Sequence, residues 1–139
     1  MILARSVLLA TAIVLALAVG NVQAAEHGGT AAVDPNAPVF LKMEALNVTV
    51  FDRGAAHGRI SIELRIDVIN KARTADVQKQ MPRLYDGFLA AVTEYSGTRA
   101  AADRAPDLDY LMGRFQAYAD TTVGAGVVKV LVHHSMRTL

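Results

Sequence analysis

Cysteine is absent from this chain of 139 residues, and that excludes a disulfide framework, a thiolate zinc site and a cysteine nucleophile. It leaves the compartment open, since an oxidising one does not require cysteine. An excess of charge of either sign is also missing. The 14 basic side chains face 13 acidic ones, and Arg5 is the only charged residue before position 25, which leaves 13 against 13 for the remainder. Neither a nucleic-acid surface nor a polybasic membrane surface has electrostatic support in that balance. No G-x-x-x-x-G-K-[ST] phosphate loop and no G-x-S-x-G nucleophile elbow occurs anywhere in the sequence. Apolar residues make up 53% of the chain, but much of that sits in the first twenty positions. The remainder has the length of one domain with one core.

Residues 1–24 have the three parts of a secretory signal: a short start with Arg5, an apolar run over 7–19, and the small-residue ending Val22-Gln23-Ala24. The competing reading is a membrane anchor. Thirteen residues reach about 20 Å as helix, short of the roughly 30 Å hydrocarbon core, although counting from Met1 to Gly20 almost spans it. Residues 25–38 are rich in Gly, Ala, Pro and polar side chains without periodicity, and read as a flexible linker. The folded domain is then 39–139.

Within that domain the stretch 59–68, R-I-S-I-E-L-R-I-D-V, organises the rest. Ile60, Ile62, Leu64, Ile66 and Val68 take the even positions, while Arg59, Ser61, Glu63, Arg65 and Asp67 take the odd ones. Strict period two predicts a strand with one buried and one wet face. Residues 39–51 predict a second strand whose buried phase flips near Ala45, from odd positions at Val39, Leu41 and Met43 to even ones at Leu46, Val48 and Val50. Either a one-residue bulge or two short strands with a bend explains the flip. Residues 52–58, with Gly54 and Gly58, read as a hairpin loop.

From Asn70 the period lengthens. Val77, Met81, Leu84, Tyr85, Phe88, Leu89, Val92 and Tyr95 predict a helix, capped by Asn70 or Thr74 and ended by Gly97. Pro82 predicts a break or kink near the first turn of the main segment, and Gly87 is a weak point worth about 1 kcal/mol against alanine. Leu108, Leu111, Met112, Phe115, Tyr118 and Ala119 predict a second helix that starts at Pro106-Asp107 and stops by Gly126. Residues 127–134 then read as a strand with Val128, Val130 and Val132 on the core side. The expected fold is α+β, a small mainly antiparallel sheet with two helices on one face, in the order β-β-α-α-β.

No catalytic, cofactor or metal residue is assigned. His133 and His134, as neighbours on a strand, should point to opposite faces and cannot then chelate one ion. His57 lacks a carboxylate partner in sequence. Asp107 and Asp109 at a helix start are accounted for by the helix dipole. The charged odd face of 59–67 has a solvated sheet face as its plain reading and a protomer contact surface, Arg59, Glu63, Arg65 and Asp67, as its functional one.

Three segments together carry a family resemblance: Pro38-Val39-Phe40-Leu41-Lys42-Met43-Glu44 with Leu46-Asn47-Val48 close behind; Arg59-Ile60-Ser61-Ile62-Glu63-Leu64; and Met81-Pro82-Arg83-Leu84-Tyr85-Asp86-Gly87-Phe88-Leu89. In order and spacing they resemble the flagellar basal-body-associated FliL family, over about residues 38–139. The resemblance implies a stomatin-like (SPFH-type) domain in the periplasm or at the periplasmic face of the bacterial inner membrane. It further implies a non-enzymatic protein without cofactor that forms homo-oligomeric rings, has flagellar stator proteins as partners and modulates stator engagement or motility. A divergent exported periplasmic binding or interaction protein outside the motor is the alternative, with an apolar pocket lined by Phe88, Phe115 and Tyr118 as its expected mark.

Overall fold

The computed structural model describes Asp34 and residues 36–101 and 104–138. The signal or anchor segment 1–24, and the linker as far as 33, lie outside them. The domain is a four-stranded antiparallel sheet with two helices packed against one face. Its elements run β1 (Val39–Lys42), β2 (Leu46–Asp52), β3 (Ala55–Val68), a short 3-10 turn at Lys71–Arg73, α1 (Thr74–Thr98), α2 (Leu108–Val123) and β4 (Val128–Thr138). The expected class and helix placement hold, and the order becomes β-β-β-α-α-β, because the segment 39–51 makes two strands.

β3 is the central strand, as its alternation requires. It pairs with β4 along Arg59–Val68, with β1 at Arg65–Val68 and with β2 at Ala55–Ile62. A strand has two edges, so β1 and β2 share the one that β4 leaves, lying end to end. Lys42 stands opposite Arg65 and Leu46 opposite Ile62, so three residues on one side face two on the other. One extra residue there re-aims every later side chain. The phase flip at Ala45 is thus a bulge and a break between short strands at once.

The loop expected over 52–58 is much shorter. β2 and β3 join through Arg53-Gly54, with φ of 48° and 83°, the two positive values that a type I′ hairpin turn needs. Gly58, at φ 105°, serves a second bulge in β3, where the register against β2 shifts by one residue between Thr49 and Phe51.

The even residues of β3 meet both helices. Ile60, Ile62 and Ile66 are completely buried, together with Leu46 and Val50 of β2, Val77, Leu84, Phe88 and Val92 of α1, and Leu111, Phe115 and Ala119 of α2. The Phe88 and Phe115 ring centroids lie 4.9 Å apart, and Tyr118 meets Phe88 edge-on at 6.1 Å. Gln116 ties α2 to β4: its amide nitrogen donates to the Val128 carbonyl and its oxygen accepts from Val130 N–H, each at 3.0 Å.

Three expectations about the helices are corrected. Pro82 lies inside a continuous α1 of 25 residues rather than at a break. It lies on an exposed face, where its ring meets solvent, and it removes the helix hydrogen bond to the Gln78 carbonyl. Neither Asn70 nor Thr74 caps through its side chain; the Thr74 hydroxyl donates back to the Lys71 carbonyl instead. Gly97 is helical, and the helix ends at Thr98 without a left-handed residue. α2 does obey its sequence signal. Asp107 Oδ1 accepts from Tyr110 N–H at 3.0 Å, and the Asp107 N–H donates to the Tyr95 hydroxyl at 2.8 Å. Asp107→Ala is expected to lower stability by about 1 kcal/mol, read as a shift in the urea midpoint at unchanged slope, because a helix N-cap is lost.

Candidate functional site

The helices cover one face of the sheet and leave the other open. On β3 that open face carries Arg59 and Arg65, both exposed, and Ser61, Glu63 and Asp67, each half-buried between neighbouring strands. The four residues expected as protomer contacts therefore stand in one row on the uncovered side.

Register extends this row into a surface. Phe40 of β1 faces Asp67, Lys42 faces Arg65, and on the far side Lys129 faces Asp67 and Leu131 faces Arg65. Phe51 of β2 pairs with Ala56, and Met136 of β4 pairs with Ser61. Phe40, Phe51 and Met136 are 48%, 59% and 52% exposed, so this face holds three of the four large apolar side chains exposed among the described residues. The fourth is Ile69, just after β3. Asp67 and Lys129 stand in register, as do Glu63 and His134, yet the ion pairs among the described residues, Arg73 with Asp76 and Arg114 with Glu94, are both on the helical side.

The expectation that His133 and His134 point to opposite faces is overturned. Glu63 is opposite His134 and Leu64 is opposite Val132, so His133 is an extra residue in β4. A bulge shifts the phase of the strand beyond it, and it puts both imidazoles on the uncovered face, where both are exposed. His133 Nε2 lies 3.3 Å from Arg65 Nη2. Sharing a face does not make the histidines a metal centre: among the described residues no group of three or more His, Asp or Glu is placed to hold an ion. His57 is exposed near the bulged start of β3.

Beyond the bulge the odd residues turn inward. Arg137 reaches the helical side, where its guanidinium donates to the carbonyls of Ala101 and Arg104. Its Nε and Nη2 are buried without a hydrogen-bond partner.

Sequence reading missed Phe40, Phe51 and Met136. Phe40 and Phe51 were legible from phase, since Phe40 lies between Val39 and Leu41 and Phe51 follows the even core positions Leu46, Val48 and Val50. Met136 was not, because an even number matches the core valines of β4 and only the bulge at His133 moves it across. The ring cluster expected to line a pocket fills the core instead. Phe88 and Phe115 are fully buried, and Tyr118 alone among the three borders a hollow. That hollow is an open groove of about 620 Å³ between α1 and α2, floored by Gly87, Ala91 and Ala117 and crossed at one end by the Arg114–Glu94 pair at 2.7 Å. Among the described residues no helix is long and apolar enough to cross a membrane. No protein-family model matches the chain, and a search of curated proteins returns no match.

Proposed function

We propose that this chain is a non-enzymatic, FliL-like protein of the periplasm or the periplasmic face of the inner membrane. In this reading it self-associates, as a ring, and modulates stator engagement and with it motility. The observation that carries the proposal is the uncovered sheet face. It combines Phe40, Phe51 and Met136 with charged residues that make no ion pairs among themselves, which is the make-up of a contact surface rather than of a reaction centre. The finer description of the fold as stomatin-like belongs to the same proposal, and rests on the motifs between Pro38 and Leu89.

Size-exclusion chromatography with light scattering tests the first half. An oligomer is expected, and a strict monomer at high concentration, with and without detergent, overturns it. Co-isolation of stator subunits with the tagged full chain from membranes of its own host tests the second. Stator enrichment is the expected result. Self-association without any stator enrichment moves the function to an exported interaction protein outside the motor, the reading that the open groove between α1 and α2 favours.

A further inference from the structure

We draw no further inference here: the strongest candidate, the uncovered sheet face on which Phe40, Phe51 and Met136 stand beside the charged row of β3, carries none because nothing in the structure shows what covers it.

Discussion

Phe115→Ala is expected to be the most damaging single truncation on the helical side, costing about 3–5 kcal/mol. The side chain is completely buried on α2, and its ring leans on Phe88 of α1 at 4.9 Å. α1 and α2 are joined by a stretch with no regular structure among its described residues, and the ion pair between them, Arg114 with Glu94, is about half exposed on both sides and contributes little. Packing of the rings therefore holds the two helices together. Alanine at 115 leaves a void against Phe88, and the fully buried neighbours Leu84, Leu111 and Ile62 belong to the same core and cannot refill it without moving backbone. A domain of this size has roughly 5–15 kcal/mol in hand, so a fifth or more of the stability goes. Urea unfolding should show the midpoint falling sharply at unchanged slope; a loss under about 1 kcal/mol would mean that the helices are held by something other than these rings.

Gly87→Ala carries the second large effect, and its sign runs against helix propensity. Alanine in a helix interior gains about 1 kcal/mol over glycine, so the sequence alone marks Gly87 as a position to improve. A Cβ at 87, however, would stand 2.0 Å from Tyr118 Cε1 and 2.2 Å from Cζ. Relief requires the Tyr118 ring to swing away from Phe88, giving up their edge-on contact and the approach of its hydroxyl to the Arg83 carbonyl at 3.4 Å. The net loss is expected to be about 1–2 kcal/mol, after the propensity gain is set against overpacking. In a Tyr118→Ala background the obstacle is gone, and the same Gly87→Ala change should become stabilising. Thermal melts of the four proteins in that cycle check the reversal of sign; a Gly87→Ala effect that is the same in both backgrounds would remove Tyr118 from the explanation.

Both residues mark how far this chain is legible before its fold is known. Period two over 59–68 placed β3, its buried face and its charged row, because a strand with helices on one side must alternate. Period 3.6 placed both helices for the same reason. Even the flip at Ala45 was visible, since apolar residues on both sides of it recorded the phase. Hidden from the sequence were events in stretches without such markers. The bulge at His133 falls between Val132 and Ser135, where no run of apolar residues registers a change of phase, so the pair His133-His134 read as split between faces. Gly87 looked like a weakness because its neighbour Tyr118 is 31 positions away and on another helix. Pro82 looked like a stop because local rules see the missing donor, whereas α1 is carried across it by Val77, Leu84 and Phe88, all buried on the same side. The row Arg59, Glu63, Arg65, Asp67 was legible as a surface, but the exposed apolar side chains on the same face needed the register of all four strands.

The two bonds of Gln116 also bear on what the sheet is prevented from doing. Its side-chain amide offers β4 the donor and acceptor that a residue of a neighbouring parallel strand would offer, one to the carbonyl of Val128 and one to the N–H of Val130. Unpaired strand edges invite runaway addition of strands from other molecules, the route to fibrils and exchanged segments. Here the first turn of that edge is already taken by a side chain anchored on a packed helix. An incoming chain would have to displace the Gln116 amide before it could pair at Val128–Val130.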